Sequence, residues 1–537
     1  MNRPTVVFLP QALLGLQRGF DRLADLLLLT LGPTQGVVLS STNLASKPEL
    51  LADSATIARR ITAVPDPLEN TGLMLLRGLV WRMHERAGDG GATAAVLARA
   101  ILTHTLRSVA AGANAMQVSR GILQAAHLVS HRLGELSRTV GSEDDLVAVA
   151  RAVTGHTQLS LVLGELFHLL GPQASITIED YQAPYLEREY LEGGRWASSL
   201  ASPVLVTVPA LQRAIQPECQ VALYDGVLST AAELVPLLEL AGSRGSGHLL
   251  LVAHKITAEA TTLLASTHST TGLKIVAVSL TRAGEKASTD LADLATLCGG
   301  QVISPVMGRR LQHVRPADLG QARRVEADQQ DLFVTGGAGD PAGTRRQIEI
   351  LDRRLKDLPL ADDGRGELEM RLGRLAGSAG VLKIGAYTQA ERSDLHQRAG
   401  QALKVLRGTL EDGFLPGGGS AYLHAAASLD PLCQTVDSDA AHGVRAVQAA
   451  LVAPFQAILH NAGAPAPAVQ AQEIRSQPPG LLYDVSGGRL VTAWSSGILD
   501  STRVLRLALE TAASGATMAL RTGAVILKRN PQVSYEP

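Results

Sequence analysis

Gly88-Asp89-Gly90-Gly91-Ala92-Thr93-Ala94 is the stretch on which the reading of this chain turns. Glycine at positions 88, 90 and 91 lets the backbone bend close to an anion, because no β-carbon stands in the way. Asp89 sets a hard carboxylate oxygen among them, the donor type suited to Mg²⁺. Behind the loop, Leu97, Ile101, Leu102, Leu106 and Val109 recur at helical spacing. That spacing predicts a helix that begins at the loop. Its free N–H groups and the positive end of its dipole point at whatever the loop holds. An ordinary glycine-rich helix start satisfies the same letters, so the rest of the chain has to decide.

Composition narrows the choices. A chain of 537 residues has room for roughly two to four domains. Its 46% apolar share supports sizeable cores, and aromatics at 3% favour helices packed on small residues over a β-sandwich. Net charge is −1 with acids and bases interspersed, which speaks against a nucleic acid or an acidic membrane surface as partner. Cys219, Cys298 and Cys433 form no CxxC and no zinc spacing, so free thiols in a reducing compartment are expected. The run Leu26–Leu29 is too short to span a bilayer and follows Asp21, Arg22 and Asp25. A soluble, cytoplasmic protein is the expectation.

Along the chain the pattern runs helical, mixed, helical. Residues up to about Leu136 read as helices with short turns. From Ile176 onward, β-rich runs appear at Ile176–Ile178, Val221–Tyr224, Leu249–Val252, Ile275–Val278 and Val302–Ile303. Helical stretches such as Ala231–Leu240 and Ala258–Ala265 alternate with them, which marks an α/β insert. Thr344–Leu358 and Gly366–Leu375 read as a charged helical pair. Beyond Gly413 the chain is Ala-rich and helical again. It ends on a helix from Ser501 with Leu505, Leu509, Ala512 and Ala516 as its apolar stripe and Asp500 as its expected N-cap. The first and last segments then form one domain, the middle is inserted, and the flanking pieces act as hinges.

Three further segments are suited to surround the same ligand as the 88–93 loop. Thr30-Leu31-Gly32-Pro33 ends a helical run and exposes carbonyl and amide groups. Asp53 stands alone before Thr56-Ile57-Ala58-Arg59. Pro416-Gly417-Gly418-Gly419-Ser420 is a second glycine-rich turn leading into a helix. Each alone reads equally well as a flexible turn, a cap or a solvated acid.

Their joint order resembles the group I chaperonins, the GroEL type. The likeness runs nearly the whole length. It is carried by Thr30-Leu31-Gly32-Pro33, Asp53 with Thr56–Arg59, Ala87–Gly90 with Thr93-Ala94, and Val96-Leu97-Ala98. It continues through Ile176–Asp180, Gly299-Gly300, Val302–Ser304, Asp318–Ala322 with Arg324-Val325, and Gly417–Gly419. Ala453-Pro454, Asn461, Gly463, Tyr483, Gly497–Asp500 and Thr502 complete it. The resemblance implies a multidomain α and α/β fold. Its parts are a helical equatorial domain (1–135 and 412–537), a hinge-like intermediate domain (136–191 and 379–411) and an inserted α/β apical domain (192–378). It also implies an ATP-binding ring of about seven copies of the chain that holds or encloses non-native polypeptides, with a co-chaperonin as a further partner.

By the same resemblance, Thr30, Leu31, Gly32 and Pro33 line the phosphate side of ATP. Asp89 binds Mg²⁺, with K⁺ as a further cation, and Gly90, Gly91, Ala92 and Thr93 lie near the phosphates. Gly418 lies under the ribose, whose hydroxyls Asp500 meets, and Tyr483 and Asp484 approach the adenine. Asp53 positions the attacking water or the metal shell. Leu200, Val204, Leu205, Val235, Leu238, Thr261, Ala265 and Ser266 match the apical groove that grips client and co-chaperonin.

The chain also departs from that pattern. The family carries three threonines after Gly-Asp-Gly, whereas Gly91 and Ala92 here lack hydroxyls. Gln401 stands where the family has its catalytic aspartate. An amide orients a water but cannot accept its proton; Asp394, at i−7, is the nearest stand-in. Asp484 replaces the usual Asn, and Thr261, Ala265 and Ser266 are smaller or more polar than the usual Leu and Val. The charge pair that joins two rings in the family is missing at Gln456 and Ala464-Pro465, and the tail Gln532–Pro537 lacks Gly-Met repeats. Weakened hydrolysis follows, and with it a second expectation: a non-hydrolysing paralogue that serves as scaffold or co-assembles with a true chaperonin. A P-loop enzyme is disfavoured by the lack of GxxxxGK[ST].

Overall fold

The computed structural model describes residues 5–34, 36–40, 49–51, 53–172, 175–209, 212–243, 247–358, 362 and 364–527. The tail singled out above, Gln532–Pro537, lies outside them. Two compact units result: Met1–Pro172 with Ala386–Pro537, and Gln173–Gly385.

The first unit is built on long helices. Gln11–Leu28, Pro67–Ala87, Gly91–Ala110, Ala115–Leu136, Ser438–Ala450 and Thr502–Leu520 share one apolar core. Small residues set how closely they pack. A β-carbon on Gly19 would lie 2.1 Å from the Glu69 carbonyl oxygen, and one on Gly72 would lie 2.2 Å from that of Leu16. Gly121 and Gly443 repeat the device, at 2.0 Å from Ala440 O and 2.1 Å from Val118 O. Backbones touch where the glycines face, and alanine and leucine fill the rest, so few aromatics are needed. The stripe Leu505, Leu509, Ala512 and Ala516 is buried in this core.

Four short antiparallel ribbons interrupt the helices, where the sequence pattern reads helix and turn alone. Thr5–Phe8 pairs with Ala524–Leu527, Val38–Ser40 with Glu49–Leu51, Phe414–Pro416 with Leu499–Ser501, and Leu481–Asp484 with Arg489–Thr492. Strands of three or four residues are too short for an alternating pattern to register, and two of the pairs join distant parts of the chain. The Phe414–Pro416 ribbon corrects one expectation. Asp500 belongs to its second strand, so Ser501 takes the N-cap position of the last helix.

In the second unit a seven-stranded mixed sheet runs Val302–Ile303, Ala214–Leu228, Gly320–Ala327, Asp331–Gly337, Gly194–Leu200, Lys274–Leu280, His248–Ile256. The long strand Ala214–Leu228 also pairs in parallel with His248–Ile256, which closes the strands into a circuit. Helices Ala231–Ser243, Ala258–Thr270 and Glu285–Cys298 alternate with the parallel strands. A separate sheet joins Ser175–Asp180, Ser378–Ile384 and Leu186–Glu192. The charged pair of helices spans Pro341–Asp357 and Arg365–Ala376. The segments expected to form hinges divide between the units. Helices Glu143–Thr154, Thr157–Leu170 and Gln389–Asp412 belong to the first, and the three-stranded sheet belongs to the second.

The glycine contacts carry a testable consequence. Gly121→Leu forces a side chain onto the Ala440 carbonyl and is expected to cost about 1–3 kcal/mol or more of stability. Urea unfolding followed by circular dichroism measures it; an unchanged midpoint would mean the two helices separate freely.

Candidate functional site

The first helix ends in a turn held from far along the chain. Thr30 Oγ1 donates to the Leu27 carbonyl at 2.7 Å, and Gly32 adopts φ +91°, a conformation that suits glycine. Asn461 Nδ2 donates to the carbonyls of Leu28 at 2.8 Å and Leu31 at 2.9 Å. A helix C-terminus leaves such carbonyls without partners, so this amide fixes the turn Thr30–Pro33. Asn461 is among the family matches, but the sequence assigned it no task.

The 88–91 loop links two helices. Gly88 closes Pro67–Ala87 at φ +79°, and Gly90, at φ +86°, precedes Gly91–Ala110. Ala92 is buried at its start and Thr93 half-buried. The Gly90 N–H donates to Asp89 Oδ1 at 2.6 Å. The Asp89 side chain is exposed to solvent, yet the protein around it is dense enough that desolvation dominates its ionisation. Burial raises its pKa, the Gly90 N–H opposes that rise, and the charge of Asp53 adds to it.

Asp53 caps the helix Ser54–Arg60. Its Oδ2 accepts from the backbone N–H and the hydroxyl of Thr56, both at 2.8 Å. Two glutamines of Gln389–Asp412 complete the carboxylate's partners. Gln401 Nε2 donates to Oδ1 at 2.8 Å, and Gln397 Nε2 donates to Oδ2 at 3.1 Å and to Thr56 Oγ1 at 2.9 Å. Asp394 does not stand in for the missing acid: its carboxylate is paired with Arg398 at 2.8 Å, one turn along its own helix. Gln397 is the residue that sequence reading missed. Its spacing of four from Gln401 puts both on one helix face and was the available signal. The same helix packs on the loop, since a β-carbon on Gly88 would lie 2.7 Å from the Gln401 carbonyl.

The second glycine turn is set by the ribbon in which Leu415 faces Asp500. Gly417 N–H donates to the Ile498 carbonyl at 2.9 Å. Gly418 takes φ +64° and has open space where a β-carbon would point. Its backbone N–H reaches the Asp500 carboxylate, which burial and the charge of Asp89 push up to about 7 against that hydrogen bond. Asp53, Asp89, Gly418, Asp500 and Gln401 are thus linked by contact or charge. Tyr483 and Asp484 are not joined to them by a hydrogen bond among the described residues. Tyr483 packs on the small cluster around Phe455, and Asp484 Oδ1 accepts from Ser486 N–H at 3.0 Å within its own hairpin.

A family model described as the TCP-1/cpn60 chaperonin family matches residues 23–167 and 238–530, well over half of the chain. The chain belongs to the TCP-1/cpn60 chaperonin family. Its fold is also similar to two crystal structures of chaperonin gp146 from the bacteriophage EL 2 (Pseudomonas aeruginosa), both in the presence of ATP-BeFx. TM-scores are 0.70 and 0.63, each at 17% identity over 98% of this chain and 99% of the other. At that identity the likeness speaks to the fold alone.

The stretch that the chaperonin family model leaves out, between 167 and 238, holds Leu200, Val204, Leu205 and Val235. Exposure divides the expected client surface. Val204 (54%) and Val235 (42%) face solvent, whereas Leu200 (4%), Leu205 (0%) and Leu238 (9%) are core. Those three leucines are therefore corrected from surface to core: they fill the space between the seven-stranded sheet and its covering helices. Thr261 and Ala265 are half-buried, and Ser266 is exposed with its hydroxyl turned back to the Leu263 carbonyl at 2.9 Å. Val306 (93%) and Met307 (83%) are the more exposed apolar side chains of this unit, and no periodicity announced them.

The Asp500 carboxyl gives a pH signature. Folded it titrates at about 7, against roughly 3.9 unfolded. As pH rises through that window the unfolded chain releases its proton first, so native stability falls and the loss is complete above about 7. Asp500→Asn is expected to raise the melting temperature at about pH 8, with a gain that shrinks toward about pH 4. An equal gain at both pH values would rule out ionisation as its cause.

Proposed function

We propose that this chain is an ATP-binding chaperonin subunit whose hydrolysis is slow, and that it assembles into a homo-oligomeric, seven-membered ring that holds or encloses non-native polypeptides. The observation that carries the reading is the gathering of Asp53, Asp89, Gly418 and Asp500 from distant segments into one acidic cluster. The gp146 chaperonin crystals were obtained in the presence of ATP-BeFx, which supports nucleotide as the ligand class.

The donor set fits a magnesium nucleotide. Among the described residues no three His, Cys, Asp or Glu side chains form a metal cage. Mg²⁺ characteristically takes one or two carboxylates and completes its shell with water and phosphate oxygens. Asp89 would hold it, with K⁺ as a further cation, and bound Mg²⁺ supplies charge neutralisation at the phosphoryl oxygens. Thr30–Pro33, Gly90–Thr93 and Gly418 present backbone and hydroxyl donors to the nucleotide, and Asp500 presents an acceptor to the ribose. Tyr483 and Asp484 border the base. Asp53 orients water. Gln401 spends its N–H on Asp53 and has no proton-accepting group to offer, which favours slow turnover.

Ring assembly has its own support. Phe8 (65%), Leu39 (68%) and Ile526 (66%) are exposed on two-stranded ribbons. Such ribbons are marginal alone and gain from pairing with another subunit. For the client, Val204, Val235 and the more polar Thr261, Ala265 and Ser266 offer a weaker grip than an all-apolar groove would. A co-chaperonin, or co-assembly with a second chaperonin that carries the catalytic acid, completes this reading. No helix among the described residues is long and apolar enough to cross a membrane, and we place the protein in the cytoplasm. The second reading, a non-hydrolysing scaffold, is favoured by the Gln401–Asp53 hydrogen bond if turnover is nil.

Native mass measurement with single-turnover ATP hydrolysis tests both. A ring that binds Mg²⁺-ATP and cleaves it slowly is expected. Gln401→Asp is expected to speed cleavage by about a hundredfold or more, the usual scale for a general base. Cleavage as fast as in an ordinary group I chaperonin would refute the slow-hydrolysis reading, and a monomer indifferent to ATP would refute the chaperonin role.

A further inference from the structure

The phosphate-side loop is short of hydroxyls, since Gly91 and Ala92 carry none and Thr93 alone remains. The space beside Gly91 is nonetheless filled. A β-carbon built there would lie 2.8 Å from Ser54 Oγ and 3.0 Å from Val80 Cγ1. Ser54 directly follows Asp53, whose carboxylate is pinned by Thr56, Gln397 and Gln401, so its position is fixed by the same hydrogen bonds. It is half-buried, and among the described residues its hydroxyl shares no hydrogen bond.

From this juxtaposition we infer that Ser54 is a nucleotide-binding residue. Its hydroxyl occupies the volume of a side chain at position 91 and donates to a phosphate oxygen of the bound nucleotide. This rests on the ATP-binding reading above. A serine hydroxyl rotates freely about its Cβ–Oγ bond and so aims at an acceptor with little reorganisation. A hydrogen bond to a charged phosphate oxygen is among the stronger kinds. Positions 54 and 91 therefore share one side-chain volume, which only one of them can fill. Glycine at 91 is the counterpart of serine at 54, and the loop's apparent deficit is met from a neighbouring segment.

The test is Mg²⁺-ATP affinity of the full-length protein by calorimetry. Ser54→Ala is expected to weaken binding about tenfold, equivalent to ~1.4 kcal/mol, without changing the melting temperature appreciably. Gly91→Ser alone, which crowds Ser54 Oγ, is expected to weaken it further. The exchange Ser54→Gly with Gly91→Ser is expected to return affinity to within a few-fold of the parent, because the hydroxyl has moved across the shared space. Serine is chosen over threonine because Val80 also stands close. Asp89→Asn serves as the control on the site itself. If Ser54→Ala binds as tightly as the parent while Asp89→Asn has lost binding, the nucleotide site stands and the role of Ser54 is overturned. If Asp89→Asn also binds as the parent does, the ATP reading falls and takes this inference with it. An exchange variant no better than Gly91→Ser alone overturns the shared-volume account.

Discussion

Like charges brought together in a protein raise one another's energy, and the first unit is organised around tolerating that. Asp53 raises the pKa of Asp89, and Asp89 helps push Asp500 up to about 7. Left to themselves such carboxylates would move apart or hold protons. Each is tied by a donor: the Gly90 N–H on Asp89, the Gly418 N–H on Asp500, and the Thr56 N–H with two glutamine amides on Asp53. The donors come from a helix start, a ribbon turn, a cap and a helix face. Moving any one element would therefore release a charge as well as a contact.

Gln401 carries both sides of this arrangement. As a donor it steadies Asp53 at 2.8 Å and helps fasten Gln389–Asp412 to the site. An aspartate in its place would turn that attraction into repulsion between neighbouring carboxylates, and a cation or a proton would be needed to restore balance. The same substitution is what acid–base chemistry asks for. Under the proposed ATPase reading, holding the helix down and activating water are competing uses of one position, and this chain has the residue type that serves the first.

Much of this was legible in the sequence, and the gaps have physical causes. Long amphipathic stretches such as Leu97–Val109 and Leu505–Ala516 announce their helices because 3.6-residue periodicity accumulates over several turns. The apolar strands at 221–224, 249–252 and 275–278 stand out because they are buried on both faces. The loop 88–91 and the turn 417–419 are visible because positive φ demands glycine at 88, 90, 418 and 419. The ribbons pairing 5–8 with 524–527 and 414–416 with 499–501 are not visible, because partners some hundred to five hundred residues apart leave no local trace. Leu200, Leu205 and Leu238 illustrate a different failure. A leucine that faces a cavity and one that fills a core look the same in one dimension, and only packing tells them apart. Gln397 and Ser54 were missed because polar side chains acquire meaning from what stands opposite, here Asp53 and the side-chain-free face of Gly91 that Ser54 fills.

The way the donors are spent also bears on what the site accepts. Gly90 and Gly418 N–H groups, which a phosphate or a ribose oxygen would use, are already engaged by Asp89 and Asp500. An anion arriving alone meets carboxylates that hold those donors, and Coulomb repulsion opposes it. A cation arriving alone would compete with the Gly90 N–H for Asp89 and leave that donor without a partner. A ligand that brought both charges at once would answer both problems, with Asp89 holding the cation and the freed N–H meeting the anion. If the site takes a metal nucleotide as proposed, the Gly90–Asp89 hydrogen bond alone couples binding of the metal to binding of the phosphate. On that proposal the coupling favours a metal-bearing phosphate over either ion alone, and it puts an acidic cluster to use in a chain whose overall charge is −1.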